Sequence, residues 1–200
     1  MITDPLAQAL LAILFVGTTV FFTVTALRGS GTAARIGDAI HVLMSVAMFA
    51  MIWEWGMALP ALPQIILFLA ATAWFAALAL LPNPPAAHSA TAGGARWMWA
   101  NHAVMMLAMA WMLWAMLEAM SGGDHAGHTA GHAPASALAL TTGLPLIVLL
   151  LAALAVQIGD LLSGGDRDHN ARDHAHRARD AANALMGIGM IAMMLPLLAA

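Results

Sequence analysis

Apolar residues fall in six long blocks, at about 5–27, 39–59, 61–82, 97–120, 137–162 and 180–199, and polar residues collect at the joints between them. Each block approaches the roughly 20 residues that a helix needs to cross the hydrocarbon of a bilayer. The pattern predicts an all-α polytopic membrane bundle of six transmembrane helices. Breakers mark the joints. Gly29, Ser30 and Gly31 close the first turn, Pro60 and Pro63 bracket the second, and Pro82, Pro84 and Pro85 with Gly93 and Gly94 make the third.

Every second block carries the same internal spacing. His41 is followed by Met44, Met48 and Met51; His102 by Met105, Met109 and Met112; Asn183 by Met186, Met190 and Met193. With about 100° of rotation per residue, these offsets fall within an arc of about 80°, so each set forms one stripe along one helix face. Arg35, Arg96 and Arg177 each stand six residues before a stripe, and Asp38 and Asp180 stand three before. The plain helices echo one another more faintly, Thr19 and Phe22 in the first matching Thr72 and Phe75 in the third. The chain therefore reads as a single domain, 1–200, built of three pseudo-repeated hairpins at about 5–59, 60–121 and 137–200. Parallel repeats in one membrane domain pack around an axis along the membrane normal. Three striped helices facing a common axis are the expected arrangement.

Composition sharpens this picture. Of the 200 residues 62% are hydrophobic and 8% charged, with a mean hydropathy of +0.84, whereas soluble domains carry about a quarter charged residues. The expected location is the cell membrane, multi-pass, with the lipid bilayer as main partner. The opening residues Met1 to Pro5 hold no basic segment or small-residue cleavage site, so the first span is expected to remain in the mature protein. All basic charge is arginine and lies in alternate connections: Arg28 and Arg35, then Arg96, then Arg167, Arg172, Arg177 and Arg179. The positive-inside rule puts those loops in the cytoplasm and both termini outside it. A net charge of −3 points to no nucleic-acid partner.

With no cysteine in the chain, a metal would have to be held by histidine, methionine or carboxylate. Thioethers are soft ligands suited to Cu(I), and imidazole adds affinity. Three stripes running ~15 Å along their helices would stack thioether rings through which Cu(I) binds or moves, headed by His41 and His102. The plainer account is that methionine is an adaptable filler and the stripes are packing seams. His41 and His102 are either functional intramembrane imidazoles, partners of Asn183, Asp38 or backbone carbonyls closing the cytoplasmic mouth, or axial ligands of one b-type haem. A second candidate metal site is the outer loop with Asp124, His125, His128 and His132, whose spacing lets several imidazoles reach one ion. Low-complexity drift produces the same pattern. The inner segment from Asp166 to Asp180 reads as a solvated positive-inside loop. Glu54 and Glu118, at the outer ends of striped helices, read as interfacial anchors. No nucleophile elbow, phosphate-binding glycine loop or zinc-protease signature is present, so no enzymatic activity is expected.

The His-x-x-Met-x-x-x-Met-x-x-Met helices, the six spans and the His-rich loop together resemble an uncharacterised family of actinobacterial membrane proteins classified as a domain of unknown function. The resemblance covers nearly the whole chain and implies a fold and no activity. In mechanism, the Met-x-x-x-Met pairs Met44 and Met48, Met105 and Met109, Met186 and Met190 resemble those of the eukaryotic copper-transporter family, which implies a thioether-lined path. The leading functional expectation is a membrane protein that binds or conducts a soft cation, most simply Cu(I). The alternative is a metal-free accessory or scaffold subunit of a larger membrane complex, its stripes turned toward partner subunits.

Reporter fusions test the orientation. Fusions at Gly31, Gly94 and Asn170 are expected to report the cytoplasm and one at Gly127 the outside. A Gly127 fusion active only in the cytoplasm overturns the orientation.

Overall fold

The computed structural model describes residues 4–29, 31–84, 92–121, 137–163 and 171–199. Among the described residues the chain forms six α-helices, α1 (Pro5–Arg28), α2 (Thr32–Met51), α3 (Ala61–Leu80), α4 (Ala92–Ser121), α5 (Ala137–Ser163) and α6 (Ala171–Ala199), one short 3-10 turn at Glu54–Ala58, and no strand. The all-α expectation holds. Five stretches are long and apolar enough to cross a membrane: Pro5–Arg28, Ala34–Met51, Ala61–Leu80, Gly94–Glu118 and Leu140–Gly159. The sixth expected span, 180–199, is helical within α6.

Local chemistry sets several ends. Asp4 caps α1, its carboxylate accepting from the Leu6 N–H at 3.0 Å, and Pro5 supplies a first helical residue whose missing N–H costs nothing there. The residue before Pro82 is pushed out of the helical region, and α3 stops at Leu80 with Leu81 extended.

The end of the second helix and the starts of three helices differ from expectation. The second span ends at Met51 and not at 59, because Trp53 turns extended and Glu54–Ala58 coils as a separate 3-10 turn. Glu54 thus leaves the α2 helix and has no angular relation to its stripe. At the other end, α2, α4 and α6 begin at Thr32, Ala92 and Ala171, five to nine residues before the apolar blocks at 39, 97 and 180. Polarity marked the edge of the apolar block, but polarity alone does not end a helix, and even Gly93 and Gly94, expected to help make the third joint, lie in the first turn of α4. Alanine and arginine are good helix formers, and 171–186 contains no glycine or proline.

The helices pack as three hairpins, α1 with α2, α3 with α4 and α5 with α6. Further contacts join α1 to α6 and α4 to both α5 and α6. Gly189 permits one close approach, since a Cβ there would stand 2.8 Å from the ring of Phe15 on α1. Among the described residues, hydrogen bonds between helices include Thr18 of α1 with Ser45 of α2 at 3.3 Å and the Trp111 indole of α4 donating to Thr142 of α5 at 2.8 Å. The outer surface is apolar, with Leu6, Ile13, Leu27, Leu62, Leu80, Val148 and Leu162 all more than half exposed. Methionine and aromatic side chains fill the interior, where Phe15, Phe22, Phe68, Phe75, Trp99, Met44, Met48, Met105, Met109, Met186 and Met190 belong to one contiguous buried cluster.

An ion pair crosses this interior. Arg179 of α6 donates both guanidinium nitrogens to Asp38 of α2, at 2.6 and 3.0 Å, a two-pronged geometry that suits a carboxylate. Asp38 is buried, and Arg179 keeps 16% of its side chain exposed. Removing the arginine would strand a buried carboxylate, whereas removing the carboxylate leaves an arginine long enough to reach the surface. Arg179→Ala is therefore expected to cost about 3–5 kcal/mol of stability, and Asp38→Ala clearly less. The double variant should recover part of the Arg179→Ala loss. Unfolding of the purified variants measures this, and equal costs for both single changes would contradict a buried, arginine-dependent carboxylate.

Candidate functional site

One turn beyond Asp38 on α2, His41 faces His102 on α4, with ring centroids 4.5 Å apart and planes at 72°. Both rings are fixed in the same way. The Nδ1–H of His41 donates to the Gly37 carbonyl at 2.8 Å, and the Nδ1–H of His102 donates to the Met98 carbonyl at 2.6 Å, each four residues back on its own helix. A carbonyl oxygen only accepts, so Nδ1 carries the proton and the neutral ring presents Nε2 as a bare lone pair. That is the tautomer a metal ligand uses.

Aromatic walls hold the rings in place. Phe22 of α1 stacks on His41 with centroids 4.7 Å apart, while Phe75 of α3 and Trp99 of α4 lie 5.3 and 5.8 Å from His102. Phe22 and Phe75 are the matched positions of the first and third blocks, and each lies against the histidine of its own hairpin. Two polar atoms in this region are buried and lack a hydrogen-bond partner in the protein, Nε2 of His41 and Oδ1 of Asn183 on α6. Leaving such a group unsatisfied costs about 1–3 kcal/mol. Arg179 lies within electrostatic reach of both imidazoles.

The three striped helices meet around this cluster: α2 and α4 through the two rings, α2 and α6 through Asp38 and Arg179, and α4 and α6 by direct packing. Beyond the histidines the methionines continue inward. Met44, Met48, Met105, Met109, Met112, Met186 and Met190 are all buried in the one cluster. Met51 and Met193 are not, and stand half-buried. On α6 the buried residue is Met194. The tenth position after the stripe head lies at the edge of the arc, about 80° from the head, while the eleventh lies only about 20° from it. Met112 occupies the tenth position and is still buried, because α4 is enclosed by α3, α5 and α6.

His125, His128 and His132, with Asp124, lie outside the described residues. Among the described residues no group of three or more histidine or carboxylate side chains is placed to share a metal ion. A metal centre here would have to combine the two imidazoles with thioethers. Sequence reasoning missed Arg179, Met106, Met194 and Asn101, whose amide nitrogen lies 3.9 Å from the Met105 sulfur. Arg179 was legible in one respect. It stands four residues before Asn183 and so shares that face once the helix is continued past 180.

The family model for a domain of unknown function, DUF5134, matches residues 33–197, nearly all of the chain from α2 onward. Similar curated proteins are uncharacterized proteins of Mycobacterium bovis and Mycobacterium tuberculosis, each 38% identical over 82 residues, which is 40% of this chain and 35% of the relative. The chain thus matches only about a third of the length of these relatives. No solved structure matches it. The family match across all the striped helices, with relatives from mycobacteria, agrees with the resemblance carried by those helices: the chain belongs to the DUF5134 family.

Proposed function

We propose that this is an integral protein of the cell membrane, both termini outside, that binds or conducts Cu(I) through His41, His102 and the buried thioethers of Met44, Met48, Met105, Met109, Met186 and Met190. The observation that carries the reading is the unpartnered Nε2 of His41, buried against His102 at the head of the methionine cluster. A soft monovalent cation would satisfy that lone pair without demanding the carboxylates that a harder ion prefers. The charge already present is balanced, with Asp38 neutralising Arg179. The three hairpins, read as pseudo-repeats of one transmembrane domain, would supply one striped helix each. On this reading the protein is a binder or conduit and catalyses no reaction. The loop histidines His125, His128 and His132 serve as an outer collecting tract.

A scaffold role has one observation in its favour. Met106 is outside the repeated spacing and is as fully buried as the stripe residues, as expected of methionine used to fill a core. The form of that role in which the stripes dock partner subunits is disfavoured, because the stripes face inward. A b-type haem between His41 and His102 is disfavoured too, since rings with centroids 4.5 Å apart leave no slot for a macrocycle.

Purified protein is expected to bind Cu(I) in preference to Zn(II), and Met48→Leu, Met109→Leu and Met190→Leu combined should remove that binding with little loss of stability. Leucine is close to methionine in volume, and such swaps usually cost under about 1.5 kcal/mol each while deleting the sulfur. The titration belongs in a background with His125, His128 and His132 changed to alanine, so that the loop does not report. Unchanged Cu(I) stoichiometry in the triple-leucine protein sinks the thioether site and leaves the scaffold reading ahead.

A further inference from the structure

The methionine stripes of α2 and α4 end at a cavity. At the end of the bundle opposite Asp38 and Arg179, a space of about 220 Å³ opens between α2, the Glu54–Ala58 turn, α3 and α4. Its lining includes Met51, Met116 and Gln64. Met116 continues the α4 stripe beyond its expected end: Met105, Met109, Met112 and Met116 follow offsets of four, three and four, which keep all four on one face. Both cavity methionines are half-buried, and each has a fully buried methionine one turn deeper, Met48 behind Met51 and Met112 behind Met116. One turn is about 5.4 Å along the axis. A single helical turn therefore separates each cavity methionine from a buried one on the same helix.

The rim of this cavity is a built feature. Gly56 lies against the end of α2 so closely that a Cβ would collide with the Ala50 carbonyl oxygen, and the turn is held by the Trp53 N–H donating to Ala50 and the Gly56 N–H donating to Trp53, both at 3.1 Å. The break after Met51 folds the chain back under α2. A helix continuing to 59 would instead carry the chain away from Met51.

We infer that Met51 and Met116 form an entry site, where a soft monovalent cation is first captured before it passes to Met48 and Met112. The inference rests on the Cu(I) reading above and adds the port and its two ligands. Thioethers suit such a step because they are soft but neutral ligands for Cu(I), whereas a carboxylate is too hard to capture the ion and a thiolate would hold it. Gln64 offers a neutral amide oxygen at the mouth, and the deeper residues remain shielded from water.

The test separates rate from capacity. Full-length protein in detergent takes Cu(I) from a chromogenic chelator, and absorbance follows both the speed of transfer and the final amount bound. Met51→Leu with Met116→Leu is expected to slow transfer by about tenfold, the rate effect of losing about 1.4 kcal/mol of ligation at the entry step, while the final stoichiometry stays at that of the parent. Met106→Leu serves as control, because it makes the same side-chain change at a methionine outside the cavity that is not among the proposed ligands, and it should transfer at the parental rate. An unchanged rate in the Met51/Met116 variant, or equal slowing by Met106→Leu, overturns the entry site while the buried site stands. A parent protein that takes no Cu(I) at all overturns the buried site, and the entry site falls with it.

Discussion

The carboxylate of Asp38 is buried in an interior that is otherwise almost wholly apolar, and the two-pronged contact from Arg179 is what allows it to stay there. Much else depends on that contact. It ties α6 to α2, helices far apart in sequence, and fixes the rotation of each: the same faces that carry Asp38 and Arg179 carry His41 and Asn183 one turn further on. In a bundle whose outer surface is as apolar as its core, hydrophobicity says little about which face turns inward. The few polar groups that must find partners decide it.

Burial of the histidine pair follows from the same logic. Each ring spends its Nδ1 proton on its own helix, so the rings need no partner from outside to settle their tautomer. What remains is a pair of imidazoles clamped by Phe22, Phe75 and Trp99, with the His41 Nε2 lone pair left over. Leaving a polar atom unpaired is a cost that packing alone does not require, because a phenylalanine would fill the same volume. The methionine cluster beneath bears no such cost, and its side chains fit both as filler and as ligand.

The bundle packs as three helical hairpins that differ in detail. Two of its hairpins place a phenylalanine from the plain helix on the histidine of the striped helix, and the last places an asparagine where the others have histidine. The α4 helix is enclosed on most sides, while α2 leaves Met51 half-buried beside the cavity at its end. The stripes accordingly differ in use. The α4 stripe is core from Met105 to Met112 and reaches the cavity at Met116, whereas α2 gives Met51 to the surface and α6 buries Met194 in place of Met193.

The sequence by itself determined the all-helical class, the number of helices and which face of α2, α4 and α6 is methionine-rich, because long apolar blocks and 3.6-residue periodicity are local properties that survive any packing. It also singled out His41, His102 and Asn183 as the heads of the three stripes. The ends of the helices were less legible, since the edge of an apolar block reports where polarity begins, and Arg172–Asp180 remains helical across that edge for want of any breaker. Only the tertiary structure decided that Arg179 meets Asp38, that the two imidazoles touch, and that Met116 and Met51 share a cavity. Each is a contact between helices, and pairing across helices depends on their rotation and height in the bundle. Those are set by the sum of all the packing and polar contacts, which no single stretch of sequence contains.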